Sequence, residues 1–322
     1  ARNETATSAA EPSVEGADAA AASTVAAVEA EAAAAPESVR ADREREVTVE
    51  TDTFTVKFTN KGAVVQSWTL VDYNDSLKEP LDLVHQAGAE SFGRPFRLME
   101  PGGKPVVGAD EALFRINSGT AVRKAPTTLV FEYSDNGVQL RKTFEFRKEG
   151  YVVGIETEVT ENGRPRRHLV EWGGGFGDTA QVQDYAHSQT FYFDDGKIVR
   201  NEAGDAEDER LTNSGRYPFV GIADLFFAAA AIPAEGEEID LETSAVQIVP
   251  AGSDEDEDTQ LFASAAFGGS DINRFEFYIG PKSLPALAAV ERVGSRLKTI
   301  IDFGIFSVVA EPIFSMLRWV YG

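Results

Sequence analysis

Apolar and polar residues alternate with a period of two along most of the chain after residue 46. Val and Phe occupy every second position of VTVETDTFTVKFTN (47–60), and the turn residues Asn60-Lys61-Gly62 follow this run. Asp135-Asn136-Gly137 separates TTLVFEY from VQLRKTFEF, a pattern typical of a β-hairpin. Runs of this kind recur to residue 282 and predict a large antiparallel β-sandwich whose strands each have one polar face.

One run is apolar throughout and does not alternate. Leu225 to Ile232 reads LFFAAAAI, and Pro233 follows it. Because proline lacks the N–H that a strand needs for its ladder, we expect the run to end there. The pattern predicts a central strand that is buried on both faces.

After FEFYIGPK (275–282) the apolar period changes from two to about 3.6. Ser283 has the side chain of a helix N-cap, and an apolar side follows it. The residues of this side are Leu284, Leu287, Ala288, Val290 and Val293. The pattern predicts one helix over 283–299 that packs against the sandwich.

The final segment, 300–322, combines an apolar face with an aromatic end. On a helix, its apolar side would carry Phe306, Val309, Ile313, Leu317 and Val320, and its polar side Ser307, Glu311, Ser315 and Arg318. Trp319 and Tyr321 suit a membrane–water boundary. Asp302, Glu311 and Arg318 make it a poor spanning helix, and Pro312 predicts a break near Glu311. Two interpretations remain, a helix in the membrane surface and a core helix of the domain.

The first 46 residues have a different composition, dominated by Ala, Glu, Ser and Thr without one aromatic residue. Nothing large is available to bury, so ordering them would cost entropy without compensation. We predict a disordered tether over 1–46. The chain begins at Ala1, and we expect that an upstream segment such as a signal or anchor precedes it.

The formal net charge of −23 restricts the classes of partner. Nucleic acid requires a basic surface, and broad adhesion to anionic lipid requires one as well. Any membrane contact must therefore be local and hydrophobic. The chain has no cysteine, which excludes disulfides, thiolate metal sites and a cysteine nucleophile.

The candidate catalytic residues form no recognisable constellation. His85, His168 and His187 have no metal-binding spacing and no HExxH pattern, and we interpret them as surface or loop residues. Glu171 and Asp178 are too few to specify a glycosidase.

Two further stretches could be mistaken for ligand sites. Gly173 to Gly177 (GGGFG) lacks the Lys-Ser/Thr of a phosphate-binding loop, so we expect a bulge or a tight bend there. Asp254 to Asp258 (DEDED) is interpreted as a solvated loop, because a contiguous run does not fold round a calcium ion. No catalytic, cofactor or metal site is predicted.

The C-terminal third carries a family resemblance. FFAAAAIP (226–233), FEFYIGPKSLPAL (275–287) and IDFGIFSVVAEPIFSMLRWVY (301–321) resemble the YidC membrane protein insertase family of Gram-negative bacteria. The family motif "YxGPK" matches Tyr278, Gly280, Pro281 and Lys282. Its second motif matches Asp302, Phe303, Gly304, Pro312, Phe314, Leu317 and Trp319. The resemblance runs in order over 47–322 and is weakest between about 80 and 220.

The resemblance implies a periplasmic β-supersandwich similar to galactose mutarotase-like folds, with C-terminal helices. It divides the chain into a tether (1–46), the sandwich (47–282), a packing helix (283–299) and an amphipathic membrane-interface helix (300–322). It further implies a transmembrane anchor before the tether and the insertase core after Gly322. The interface residues would be Phe303, Phe306, Val309, Ile313, Phe314, Leu317, Trp319 and Val320. The junction residues would be Tyr278, Gly280, Pro281, Lys282, Asp302, Gly304 and Pro312.

The implied function is that of an inner-membrane insertase that helps insert and fold membrane proteins. This part of it would face the periplasm, without catalysis or cofactors. The implied partners are the membrane surface, the Sec translocon with its accessory subunits, and nascent inner-membrane proteins. Two alternatives stay open at this point. One is a carbohydrate-binding or mutarotase-like enzyme on the same fold, and the other is a holdase-like chaperone.

Overall fold

The described part of the chain forms three β-sheets that share one core, with a short helical layer over the largest sheet. The structure is a computed structural model and describes residues 38–75, 78–117, 119–177, 188–248 and 260–301. Predictions for 1–37, 178–187, 249–259 and 302–322, which include the Asp254–Asp258 run and His187, lie outside the described residues. The predicted class, a mostly β sandwich with C-terminal helices, is confirmed.

The strands before residue 150 are β1 (Glu46–Glu50), β2 (Phe54–Thr59), β3 (Val64–Asn74), β4 (Pro80–Asp82), β5 (Arg97–Glu100), β6 (Lys104–Pro105), β7 (Arg115–Ile116), β8 (Val122–Lys124), β9 (Thr127–Asp135) and β10 (Val138–Phe146). Those that follow are β11 (Val152–Glu161), β12 (Arg164–Pro165), β13 (His168–Trp172), β14 (Gln189–Asp194), β15 (Lys197–Asn201), β16 (Leu211–Gly215), β17 (Val220–Ala223), β18 (Phe227–Pro233), β19 (Ile239–Ile248), β20 (Gln260–Ser270) and β21 (Ile272–Pro281). The helices are α1 (Gln86–Phe92), α2 (Leu284–Ala288) and α3 (Gly294–Leu297), with 3₁₀ turns at Ala203–Ala206 and Lys298–Ile300.

The large sheet has the order β15-β14-β17-β18-β21-β11-β10-β9-β7, and β12 pairs with β11. A second sheet has the order β4-β3-β2-β1-β8, and a third the order β16-β19-β20-β13-β5-β6. Among the described strands, β1 and β8 pair in parallel and the other pairs are antiparallel.

The β9–β10 hairpin confirms the turn predicted at Asp135-Asn136-Gly137. Asp135 pairs with Val138, which leaves Asn136 and Gly137 as a two-residue loop. Their φ angles are 48° and 80°, the left-handed values that a tight hairpin with right-handed twist requires. Asn and Gly accept this conformation at low cost, so the local sequence sets the register of both strands.

Aromatic side chains dominate the shared core. Phe54 stacks on Trp68 with ring centroids 4.5 Å apart, and Phe58 lies 4.8 Å from Phe144. All four are buried. Burying one such ring contributes about 2 kcal/mol to the hydrophobic stabilisation of the fold.

Strand β18 confirms the prediction of a central strand buried on both faces, with one correction. Ala229 and Ala231 face the shared core, whereas Ala228, Ala230 and Ile232 face the helical layer. Alternating alanines let both layers approach the sheet closely. The strand begins at Phe227, so the predicted start at Leu225 is wrong; the residues at 225 and 226 form an exposed turn instead.

The helical layer contains two short helices where the sequence predicted one over 283–299. Ser283 caps α2 as predicted, because its Oγ accepts from the backbone N–H of Ala286. The chain turns after α2, and α3 restarts at Gly294, whose position leaves no room for a Cβ against Ala288 O. Leu287, Val290, Val293, Leu297 and Ile300 are buried against the large sheet, but Ala288 is exposed, contrary to prediction.

The end of the predicted tether contacts the sandwich. Val39 forms a β-bridge with Ser134, and the N–H of Ala41 donates to Leu113 O at 2.8 Å. The side chain of Asn60 accepts from Arg45 N at 2.6 Å and donates to Arg43 O at 3.2 Å. Residues 38–46 therefore belong to the sandwich, which corrects the predicted boundary at 46.

Candidate functional site

The end of β21 holds the first four predicted junction residues in one hydrogen-bonded unit. Tyr278 is fully buried between the large sheet and the helical layer, and its hydroxyl donates to Pro281 O at 2.6 Å. Burial raises the pKa of this phenol well above its usual value. This hydrogen bond joins the last residue of β21, Pro281, to the Tyr278 side chain of the same strand. It fixes the point at which the chain leaves the sheet.

Gly280 is required by a close approach rather than by its backbone angles. A Cβ at this position would lie 2.7 Å from ring atoms of Tyr151. The Tyr151 ring also packs edge-on against Tyr278, with centroids 6.2 Å apart. Two tyrosines thus enclose the strand end, and a side chain at 280 would push one of them away.

Lys282 joins the strand end to the neighbouring β17–β18 turn. Its backbone N–H donates to Phe226 O and its Nζ to Asp224 O, both at 2.6 Å. The Asp224 carboxylate accepts from the N–H groups of Phe226 and Phe227 at 2.7 and 2.6 Å. The structure therefore brings together Tyr278, Gly280, Pro281 and Lys282 as the point where the sheet ends and the helical layer begins.

The remaining predicted site residues lie outside the described residues. These are Asp302, Phe303, Gly304, Phe306, Val309, Pro312, Ile313, Phe314, Leu317, Trp319 and Val320. Within the described part of the chain, no helix has the length and hydrophobicity needed to cross a membrane.

The two described histidines are both buried. His85 lies in the loop before α1, as predicted, whereas His168 lies within a strand, which corrects its interpretation as a surface or loop residue. His168 lies on β13, and its Nδ1 donates to Arg166 O at 3.0 Å while Nε2 lies 2.8 Å from Thr157 Oγ1. His85 Nδ1 lies 2.6 Å from Gly174 O. Burial lowers the pKa of both rings, so both are neutral near pH 7.

The glycine run forms the tight bend that the sequence predicts. Gly174 and Gly175 have φ angles of 73° and 74° directly after β13. A Cβ at Gly174 would lie 2.8 Å from the Cα of Gly88 in α1. The run therefore lets α1 pack directly against the chain that leaves β13.

A buried charged cluster on the third sheet was not predicted as a unit. Glu171 on β13 and Glu242 on β19 both pair with Ala266 of the strand between them. Glu171 Oε2 lies 3.9 Å from Arg97 Nη1, and Glu242 Oε2 lies 3.7 Å from Arg210 Nη1. Burial raises the pKa of Glu171 to about 7 in spite of Arg97. In the sequence, the cluster could have been recognised from Glu171, a charged residue inside the apolar run HLVEW (168–172).

Lys142 is a second buried charge that sequence reasoning missed. Its Nζ donates to the carbonyl oxygens of Gly62, Ala63 and Phe96 at 2.8, 3.1 and 2.7 Å. The side chain is fully buried, and burial lowers its pKa to about 7. The alternation in VQLRKTFEF (138–146) places Lys142 on the inward face of the strand. This alternation could have predicted a buried lysine. Among the described residues, no His, Asp and Glu side chains group as metal ligands.

The strand-end unit and the helical layer lie within the span of a known family. A family model of the YidC periplasmic domain matches residues 46–316, from β1 into the C-terminal segment. The chain belongs to the YidC periplasmic domain family. The match includes the predicted junction residues up to Pro312.

Relatives named as the membrane protein insertase YidC match most of the chain. The Bordetella pertussis protein is 23% identical over 300 residues, covering 88% of this chain and 51% of its own length. The Chloroherpeton thalassium protein is 28% identical over 298 residues, covering 85% of this chain and 49% of its own length. The chain therefore spans about half the length of these YidC relatives.

Two of the solved structures that resemble this chain are galactose mutarotase-like proteins. A galactose mutarotase related enzyme from Lactobacillus acidophilus has a TM-score of 0.48 and 12% identity, covering 74% of this chain and 97% of that one. A galactose mutarotase-like protein from Lactobacillus casei has a TM-score of 0.44 and 10% identity, covering 73% and 99%.

Proposed function

We propose that the chain is the periplasmic part of an inner-membrane insertase and that it acts by positioning and binding, without catalysis. The observation that supports this is the family match over 46–316, which continues past the strand-end unit into the amphipathic segment. The chain spans about half the length of its insertase relatives, so the membrane-inserted part would lie elsewhere in the protein.

The segment 302–322 would bring the sandwich to the membrane surface. Its apolar face and aromatic end suit a helix that lies at the bilayer boundary. The acidic composition of the chain leaves local hydrophobic contact as the means of binding. The domain would then hold a fixed position above the membrane-inserted part.

A non-catalytic role agrees with the state of the described histidines. A mutarotase-type reaction needs an acid and a base that reach the substrate. His168 is fully buried and uses both ring nitrogens, and His85 uses Nδ1 within the fold. We expect titration with galactose and glucose to give no saturable binding. Saturable binding or anomer interconversion would support the enzyme alternative.

The partners in this proposal are nascent inner-membrane proteins and the Sec translocon with its accessory subunits. The reading frame after Gly322 tests the insertase assignment directly. We expect a hydrophobic span of about 20 residues and an arginine within the membrane region. A frame without any such span would contradict the assignment.

Vesicle flotation tests the membrane role of the C-terminal segment. We expect the chain to float with vesicles of phosphatidylethanolamine and phosphatidylglycerol. The triple variant Phe306→Ser, Ile313→Ser and Leu317→Ser should lose this association. The matched control Ser307→Ala and Ser315→Ala changes only the polar face and should float like the parent. Equal flotation of both variants would contradict the proposal.

A further inference from the structure

The end of the sandwich that carries the strand-end unit also presents apolar and aromatic side chains. Leu225 and Phe226 are 46% and 52% exposed at the tip of the β17–β18 hairpin. Tyr73 and Tyr151 are partly buried at the same end of the large sheet. The Tyr73 ring is 6.1 Å from that of Phe227, and Tyr151 O accepts from the N–H of Ile279 near the end of β21. Tyr73, Tyr151, Leu225 and Phe226 are called the apolar end below.

The exposure at this tip is fixed by hydrogen bonds. The Asp224 carboxylate accepts from two successive N–H groups, and the Asp224 N–H donates to Phe227 O at 3.1 Å. Lys282 holds the same turn from the neighbouring strand through Phe226 O and Asp224 O. The turn therefore cannot fold its two apolar side chains back onto the sheet without losing several hydrogen bonds.

The apolar end lies at one extreme of the large sheet. Phe227 pairs with Pro281, the last residue of β21, whereas Ile272 begins the same strand and pairs with Glu158. A strand of this length spans about 30 Å. Ile272 is 41% exposed and thus marks the opposite extreme with a similar apolar side chain.

The described chain also ends on the side of the apolar end. Arg200 Nη2 donates to Ile300 O, and Arg200 stands in one row of the sheet with Phe191, Gly221, Ala230 and Tyr278. Tyr278 is three residues from the end of β21, a distance of about 10 Å along the strand. The described chain therefore ends over the half of the large sheet that carries the apolar end.

The stretch before the segment 302–322 is basic in an otherwise acidic chain. Between residues 282 and 301 it has one acid, Glu291, and four basic residues, Lys282, Arg292, Arg296 and Lys298. Two of these bind within the fold: Lys282 Nζ donates to Asp224 O, and Arg292 pairs with Glu276. The side chain of Arg296 is exposed. A rigid apolar tip with half-buried tyrosines beside it fits a lipid surface, which offers acyl chains at the membrane–water boundary.

We propose that the apolar end dips into the lipid bilayer surface, so that Leu225 and Phe226 form a second membrane contact beside the segment 302–322. This rests on the proposed function at the membrane. The two contacts would hold the sandwich with the end of β21 toward the bilayer and Ile272 about 30 Å away from it.

Site-specific fluorescence tests this orientation, because the chain has no cysteine of its own. Phe226→Cys and the control Ile272→Cys are each labelled with an environment-sensitive NBD dye. The full chain carries an N-terminal histidine tag and is held on phosphatidylethanolamine–phosphatidylglycerol vesicles by a nickel-chelating lipid. We expect the emission at 226 to move to shorter wavelength on vesicles and that at 272 to stay unchanged. The tag keeps this result independent of the membrane affinity of 302–322.

The outcomes distinguish the lipid contact of Leu225 and Phe226 from the proposed membrane role of the segment 302–322. No shift at 226, equal shifts at 226 and 272, or a shift at 226 before vesicles are added would each overturn the inference. The last result would mean that the chain itself covers the turn. A shift at 226 that persists when Phe306, Ile313 and Leu317 are changed to Ser supports it, even where those changes abolish flotation of the untagged chain.

A second measurement uses affinity. Leu225→Asp with Phe226→Asp should lower the vesicle partition coefficient of the untagged chain by about tenfold or more, since it removes two partly inserted apolar side chains. Ile272→Asp should leave it unchanged. Circular dichroism serves as the control that each variant is folded. Equal partition coefficients of the two variants would overturn the inference.

Discussion

Lys142 occupies a core position and donates to three backbone carbonyl oxygens, those of Gly62, Ala63 and Phe96. Two of these carbonyls belong to Ala63 and Phe96, non-glycine residues with φ angles of 49° and 70°. Such angles are uncommon, above all for a bulky ring. The ammonium group thus stabilises two irregular segments from within the core. One charged residue organises backbone that the hydrophobic pattern alone would leave unpaired.

We expect Lys142→Met to destabilise the fold by about 2–4 kcal/mol, because it leaves three buried carbonyl oxygens without a donor. The free energy of unfolding is measured by urea titration. Lys57→Met, at an exposed position of β2, is the control and should change it by less than about 0.5 kcal/mol. An equal effect of both substitutions would show that the three hydrogen bonds contribute nothing.

The same lysine predicts a pH dependence. Burial lowers the pKa of Lys142 from 10.5 to about 7 in the folded state. Between these values the unfolded chain binds more protons, so the stability of the parent rises with pH. The difference in unfolding free energy between the parent and Lys142→Met should grow between pH 7.5 and 10, by at most about 1.4 kcal/mol per unit. Parallel pH curves would contradict a lowered pKa.

Glu171 predicts the opposite slope in a lower range. Burial raises its pKa from 4.5 to about 7. Between these values the folded state binds more protons, so this group's contribution to stability falls as pH rises. Glu171→Gln should remove that fall, which is on the order of 3 kcal/mol between pH 4.5 and 7.5. Urea titrations at several pH values measure it, with the exposed Glu90→Gln as control.

Among the secondary-structure elements, the sequence predicts most accurately those features that residues close together in the chain determine. The Asn136-Gly137 turn, the bend at Gly174, the Ser283 cap and the double-sided burial of β18 all follow from local chemistry and period. The break between α2 and α3 was missed because the apolar spacing of 283–299 continues through it. The turn between them brings Gly294 against Ala288 O, a contact that the apolar spacing does not reveal.

The strand-end unit depends on tertiary contacts in the same way. The motif around Gly280 is visible in the sequence, but the Tyr151 ring that excludes a side chain there is more than 100 residues away. The polar clusters at Lys142 and Glu171 were missed for this reason too. Their partners come from several strands and loops that a period of two cannot bring together.

Gly280→Ala tests the close packing at this strand end. The added methyl carbon would lie 2.7 Å from ring atoms of Tyr151, closer than van der Waals contact allows, and should destabilise the fold by about 1–3 kcal/mol. The matched variant Tyr151→Ala opens the space, so the same glycine substitution should cost much less in that background. A double-mutant cycle from urea titrations measures the coupling. A coupling near zero would mean that the ring moves aside freely.

For the whole molecule, both boundaries of the sandwich differ from those predicted from the sequence. At the start, residues 38–46 bind the sandwich through Val39, Ala41 and Asn60. At the end, the predicted membrane segment began at Ile300, but this residue is 2% exposed and belongs to the helical layer. The membrane segment that we propose therefore begins after Ile301 rather than at Ile300.

Two truncations test this second boundary. A chain that ends at Ile301 should keep the unfolding free energy of the full chain within about 0.5 kcal/mol, since it loses none of the described packing. A chain that ends at Thr299 also loses the buried Ile300 side chain and the hydrogen bond from Arg200 to its carbonyl. We expect it to be less stable by about 2–4 kcal/mol in urea titrations. Equal stability of the two truncated chains would place the end of the folded domain before Ile300. An unstable chain ending at Ile301 would instead mean that the amphipathic segment packs on the sandwich as a core helix.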